Sequence, residues 1–476
     1  MHVEATTVPP LATDADTIAV GAFEDSEPSS RVPDELYREL LRTGEASRAL
    51  GRTAVAHTGD RRLIVAGLGP QEQFGPERAR VAAAAVDARA TELSATALCW
   101  ELPAAGVLTG LIEGTMLHAY RFERYQLASE ERPLEQLIVS SDEDLTAEAR
   151  RAAIVAAAQN RARDLGNTPG NDLTPSALAQ YAQDVASRHG MLTATVLDEQ
   201  AIRDAGMGAF AAVAQGSAQQ AQLIRLDYWP EAAQGPYLGF VGKAVTFDSG
   251  GLALKSRDGM DEMKFDMCGG AAVIEAIAAL AELDAPCRVT GLVGATENLP
   301  SGTAMKPGDI VRALDGTTIE VNNPDAEGRL VLSDCLVYAR RQGCDRLADI
   351  ATLTGGVVTA LGSVYAGLMS NDARWSEQVR ECGDRSGDPL WELPLHERYA
   401  EMVKGRYAEL TNLAVRREAQ AITAAELLHH FAGDVPWAHI DIAGTAWDVP
   451  RPYFVGKGAT GFGVRLLVEL ALSAGA

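Results

Sequence analysis

The run YLGFVGKAVTF at residues 237–247 is apolar, β-branched and aromatic almost without a break. Its composition and length predict a central strand. The stretches around it supply the rest of a layered fold. GGAAVIEAIAALAEL (269–283) predicts a helix entered through glycines, and CRVTGLVGATEN (287–298) a further strand. VLSDCLVYARRQG (331–343) predicts a helix with a C-terminal glycine, and RLADIATLTGG (346–356) a strand followed by a glycine-rich loop. The first part of the chain repeats the alternation. RRLIVAGLG (61–69) and ATALCWEL (95–102) predict strands, with a helix between them over 76–93. Strands alternating with helices define an α/β fold.

Three regions follow. Residues 1–145 form a smaller N-terminal α/β domain. Residues 146–172 form a connecting helix and turn, rich in alanine and arginine, with Thr146 as N-cap and its end at Gly166 and NTPGND. Residues 173–476 form the larger C-terminal domain. No fixed-period repeat and no low-complexity tract interrupts them.

A net charge of −23 and a pI near 4.8 argue against binding to a nucleic-acid backbone, which needs a basic footprint. The six cysteines include no C-x-x-C pair, so they predict buried thiols in a reducing compartment. The N-terminus has no apolar signal core, and no stretch approaches the roughly 20 apolar residues of a membrane span. The expectation is a cytoplasmic protein with no membrane association.

Basic residues are distributed unevenly. Only 6 of the 42 are lysines, and Lys243, Lys255 and Lys264 fall within 22 residues of one another. Acids crowd the same region and the segment NNPDAEGRL. Asp248 ends the apolar strand before Ser249-Gly250-Gly251, Asp266 precedes the helix glycines, and Asp325 and Glu327 stand two residues apart. If their segment is extended, those two carboxylates face one side and Ala326 the other. Four carboxylates packed together repel unless cations sit among them, and two divalent ions balance their charge. Oxygen donors suit Mg²⁺, Mn²⁺ and, more loosely, Zn²⁺. Arginine has no lone pair to give a metal, whereas lysine does once its pKa is pulled down. An ammonium also stabilises a developing oxyanion. Lys243 and Lys255 therefore stand out, and a surface or packing role explains Lys264 equally well. Arg329 offers a permanently charged fork for a planar oxyanion. Each feature alone has a blander reading: a turn aspartate, a solvated strand face, a surface lysine. Their combination is what points to chemistry.

VGKAVTFDSGG, MKFDMCGGAAV and NPDAEGRLVLSD resemble the signatures of the leucyl aminopeptidase family of dinuclear metallo-aminopeptidases. The resemblance continues through EGTMLHAYRFERY (113–125), ENLPSGTAMKPGD (297–309), PWAHIDIAGTAW (436–447) and GATGFGVRLLVEL (458–470), and is least clear before about residue 60. It implies a C-terminal catalytic domain with a central mixed sheet flanked by helices. It implies two divalent ions per subunit, Zn or Mn first, with Mg or Co as further options. Lys243, Asp248, Asp266 and Glu327 would hold the tighter ion, and Asp248, Asp325 and Glu327 the more exchangeable one. Lys255 would polarise the scissile carbonyl, and Arg329 would hold a bicarbonate serving as general base. Met263, Thr352, Leu353, Gly355, Ala443 and Ala446 would contact substrate, favouring leucine-like first residues. Peptides with a free N-terminus would be the substrates, and a homohexamer the assembly. One departure stands at Pro324, where the family usually has threonine. Proline lacks the backbone N–H and holds Asn323 extended.

Two other readings compete. FDSGG with His57 in TAVAHTG echoes a serine peptidase, but that reading needs an all-β fold. A non-enzymatic regulator or scaffold on the same fold would be expected to have lost at least one of the groups named above.

Overall fold

The apolar run at 237 is the strand Tyr237–Asp248 of an eight-stranded mixed sheet. Across the sheet the order is Leu390–Glu392, Ala366–Ser370, Trp437–Asp441, Arg346–Ala351, Tyr237–Asp248, Arg288–Asn298, Gln222–Tyr228 and Leu192–Leu197. The four strands from Trp437–Asp441 to Arg288–Asn298 are mutually parallel, and antiparallel neighbours flank them on both sides. Their carboxyl ends therefore open on one edge, where open α/β sheets bind ligands.

Helices cover both faces of this sheet, and glycines set how closely they sit. A Cβ at Gly291 would lie 2.4 Å from Ile277 on the helix Cys268–Glu282. A Cβ at Gly294 would lie 2.4 Å from Val331 on the helix Gly328–Arg341. Three positions apart on one strand, the two glycines face opposite sides, so one helix packs on each. On the Gly328–Arg341 side, Phe210, Val241, Leu292, Val331, Leu336 and Trp437 form one buried core.

The structure, a computed structural model, describes residues 1–26, 31–32, 34–127, 133–416 and 418–474. The chain divides into one unit of Met1–Asn160 with Pro450–Gly456 and another of Arg161–Val449 with Lys457–Ala476. The first unit holds a six-stranded sheet in the order His2–Thr6, Gln136–Ser140, Ala97–Glu101, Thr17–Phe23, Arg61–Gly69, Thr53–Thr58, parallel except for the last pair. Helices Pro76–Glu92 and Leu108–His118 pack with this sheet around a second core that includes Trp100.

Three local expectations are corrected. The connecting helix spans Thr146–Asn167, but Thr146 is its first residue, not its cap. Asp144 Oδ1 accepts the Thr146 N–H at 3.1 Å and its hydroxyl at 2.7 Å. Gly166 does not stop this helix. It lies inside, where a Cβ would come within 2.7 Å of Ala459 and 3.0 Å of the Cys268 sulfur. The glycine-rich stretch after Ala351 is not all loop, because Gly355 opens the helix Gly355–Leu361, with Thr354 as N-cap. Among the described residues no helix is long and apolar enough to cross a membrane.

Candidate active site at the strand ends

Asp248 is the last residue of its strand, and the turn after it reverses the chain. Gly250 sits at φ +84°, a conformation open to glycine, and a side chain there would meet Asp325 Oδ1 at 2.8 Å. The turn brings Lys255 back beneath Asp248, its N–H bonded to the Ser249 carbonyl at 2.9 Å. Lys255 Nζ then lies 2.8 Å from Asp248 Oδ2 and 2.5 Å from Asp325 Oδ1.

Lys243 projects from mid-strand into the interior. Its Nζ lies 2.8 Å from Asp266 Oδ1, 2.8 Å from Glu327 Oε1 and 2.9 Å from the Thr352 carbonyl. Three acceptors thus meet three ammonium donors. Asp266 comes from the 3-10 helix Met260–Met267, and Glu327 from the entry to the helix Gly328–Arg341. A Cβ on Gly328 would stand 2.7 Å from Lys243 Cε and 2.8 Å from its Nζ. The first turn of the helix rests on the lysine, leaving no room for the broader head of an arginine. Lys264 takes a packing role, donating to the Asn167 carbonyl at 3.0 Å and lying over the Trp447 ring.

Carboxylate oxygens of Asp248, Asp325 and Glu327 lie within 4.8 Å of one another. The condition of an extended segment is not met: Pro324 and Asp325 form a turn, and Glu327 is already helical at φ −76°, ψ −37°. Asn323 Oδ1 makes this turn by accepting the Asp325 N–H at 3.0 Å, and its bend brings both acids to one place. The N–H that Pro324 lacks is not needed, because Asn412 holds the loop. Its Oδ1 accepts from the N–H groups of Asn322 and Asn323 at 2.8 and 3.2 Å, and its Nδ2 donates to the Asn323 carbonyl at 2.7 Å. Asn298 Nδ2 bridges Asp248 Oδ1 at 2.8 Å and the Pro324 carbonyl at 3.1 Å. Sequence reading named neither asparagine. Asn298 ends a strand at the ligand-binding edge, a placement that singles it out once the sheet order is known.

Side-chain electrostatics show how tightly the acids are confined. Burial and the neighbouring Glu327 push Asp248 up to about 6. Burial raises Asp266 well above the usual carboxylate range and raises Asp325 as well. For Lys243, burial works against the charge, but Asp266, Glu327 and Asp248 outweigh it and its pKa rises. Without a cation beside it, the lysine serves as the counter-ion of these acids. Lys255 is raised in the same way by Asp248 and Glu327. Among the described residues, Asp266 Oδ2 is buried with no hydrogen-bond partner, and so is Arg329 Nε. Burial pulls the Arg329 guanidinium down to about 10, and its Nη1 donates to the Asn412 carbonyl at 2.6 Å.

The other expected residues are distributed around the cluster. The Thr352 hydroxyl donates to Asp266 Oδ1 at 2.7 Å. Leu353 and Ala443 direct their N–H groups at Asp441, Gly355 is exposed, Met263 is half-buried and Ala446 is fully buried. Ser249 is a turn residue, its hydroxyl donating to the Asn298 carbonyl at 2.8 Å, and His57 lies on a strand of the other unit. A serine-peptidase arrangement is therefore not supported.

Acids gathered at the strand ends of an α/β sheet suit a divalent-cation site, and the matches to known proteins say in which family. Residues 160–468 match the catalytic domain of the cytosol aminopeptidase family, and residues 19–128 match its N-terminal domain. The chain belongs to the cytosol aminopeptidase family. It is 40% identical over 487 residues to a probable cytosol aminopeptidase of Roseiflexus castenholzii, covering 98% of each chain. It is 42% identical over 470 residues to another from Solibacter usitatus, covering 96% of each. Among solved structures, the bottromycin maturation enzyme BotP in complex with Mn is similar at a TM-score of 0.88 and 33% identity, covering 97% of this chain and 100% of that one.

Proposed function

We propose that this chain is a two-metal aminopeptidase that releases leucine-like residues from the free N-terminus of peptides. The observation that carries the reading is the pairing of two donor sets around shared acids. Lys243 links Asp266 to Glu327, and Asp248, Asp325 and Glu327 converge within 4.8 Å. By the family resemblance, Lys243, Asp248, Asp266 and Glu327 would hold the tighter ion and Asp248, Asp325 and Glu327 the more exchangeable one. The orphaned Asp266 Oδ2 and the raised Asp248, Asp266 and Asp325 mark a site short of positive charge, although against its burial the two lysines hold Glu327 below its usual value. Such ions, Zn²⁺ or Mn²⁺ foremost, supply Lewis acidity and acidify a water. BotP, similar in fold, is described in complex with Mn.

The protein's own groups do the rest. Lys255, about a quarter exposed, reaches the cluster from its open side, suited to a carbonyl oxygen gaining charge. Arg329 has a buried charge and an unspent Nε donor, which suits a bicarbonate held as proton acceptor. Asp266 accepts the ammonium of Lys243 and so can accept a substrate amine. Peptides are the substrates, and a homohexamer in the cytoplasm remains the expected setting. A non-enzymatic scaffold is not favoured, because every group proposed for chemistry is in place.

The test is hydrolysis of leucine p-nitroanilide by chelator-treated protein resupplied with Mn²⁺ or Zn²⁺. Turnover restored by metal supports the reading. Turnover indifferent to chelation, or none with either ion, refutes it.

A further inference from the structure

We infer that Asp441, which no part of the mechanism above uses, is a positioning residue that sets the enzyme's preference for the first side chain. The proposal rests on the aminopeptidase reading. Asp441 ends the strand Trp437–Asp441 beside Ala351, the last residue of its parallel neighbour. It is fully buried, and its carboxylate joins the two segments that leave these strands. Oδ1 accepts the N–H of Leu353 at 3.1 Å, of Thr354 at 3.4 Å and of Ala443 at 3.3 Å. Oδ2 accepts the Thr354 hydroxyl at 2.7 Å. That hydroxyl in turn accepts the Val357 N–H at 3.1 Å and so caps the helix Gly355–Leu361.

The segments so joined carry Thr352, Leu353, Gly355 and Ala443, the residues expected around the substrate. A second contact locks them independently. A Cβ at Gly444 would lie 2.2 Å from the Gly362 carbonyl at the far end of the same helix. The turn 441–446 thus packs against both ends of the helix, by Asp441 at its start and by Gly444 at its finish. A carboxylate suits this junction because all four of its contacts are donors and it offers only acceptors. Asparagine keeps the shape but faces the Thr354 hydroxyl with an N–H₂, which reverses that bond, and it removes the charge shared by the three N–H donors on Oδ1, so the junction loosens. A wall displaced by a fraction of an ångström matters to a leucine side chain and not to glycine, which has none.

The experiment compares kcat/KM for leucyl, alanyl and glycyl p-nitroanilides in the metal-loaded wild type, Asp441→Asn and Thr354→Val. Thr354→Val removes the hydroxyl link while leaving Asp441 charged, and serves if Asp441→Asn does not fold. Thr354→Ser should restore the wild-type pattern. The leucyl-to-glycyl ratio should fall about tenfold in both variants, mostly through KM, with metal content and glycyl turnover unchanged. Parallel loss on all three substrates would mean a merely structural role and would overturn the proposal. So would an unmoved ratio in an active, folded variant. A wild type inactive on every substrate would instead bring down the aminopeptidase reading itself.

Discussion

Gly328→Ala separates the metal site from the fold around it. The new methyl carbon would stand 2.7 Å from Lys243 Cε and 2.8 Å from its Cδ and Nζ, well inside contact distance. Only the flexible end of one side chain has to yield. Overpacking of a core costs about 1–3 kcal/mol, and the low end applies here because no backbone is struck. Replacing glycine in a helix returns up to about 1 kcal/mol, less in the first turn. The net change in stability is therefore near zero, and for a chain of this size Tm should move by less than about 4 °C. Lys243, however, must leave its place between Asp266 and Glu327. Loss of an orienting contact typically weakens a metal site 10- to 100-fold, and losing the lysine's own position should do at least as much. Competition against a fluorescent chelator measures the affinity, and differential scanning fluorimetry measures Tm. Affinity unchanged within twofold at an unchanged Tm would show that Lys243 is not a ligand.

Two further outcomes follow from the same geometry. Lys255→Ala should lower kcat by about 10²–10³ while metal binding is equal or tighter, since a competing cation leaves Asp248 and Asp325. Parallel loss of metal, measured by elemental analysis, would refute the assignment. The pH dependence has a definite sign. Asp248, held near 6 by burial and Glu327, binds more protons folded than unfolded between about pH 4 and 6. Its contribution to the stability of chelator-treated protein should therefore rise as pH falls from 7 to 5, while metal affinity falls across the same range. Urea denaturation at both pH values should show this slope flattened in Asp248→Asn, and an equal slope in both proteins would contradict it.

How much was legible in the chain depends on distance along it. The strand at 237–248 and the acids at its end could be read because pattern and chemistry occupy one local stretch. The lysine bias could be read because composition registers what geometry forbids, here the helix start at Gly328 pressed on Lys243. The turn at Pro324–Asp325 is not legible locally, since it depends on an Asn323 side-chain bond and on Asn412, about 90 residues away. Gly166 was misread for a related reason. Glycine most often ends a helix, and only the approach of Ala459 and Cys268 explains one inside. Asp441 is not legible because three of its four partners are main-chain N–H groups, which no residue pattern advertises.

The ammonium of Lys243 seated among three acceptors has one more implication. Two ammonium groups lie among four carboxylates, so the chain itself meets only half of their charge.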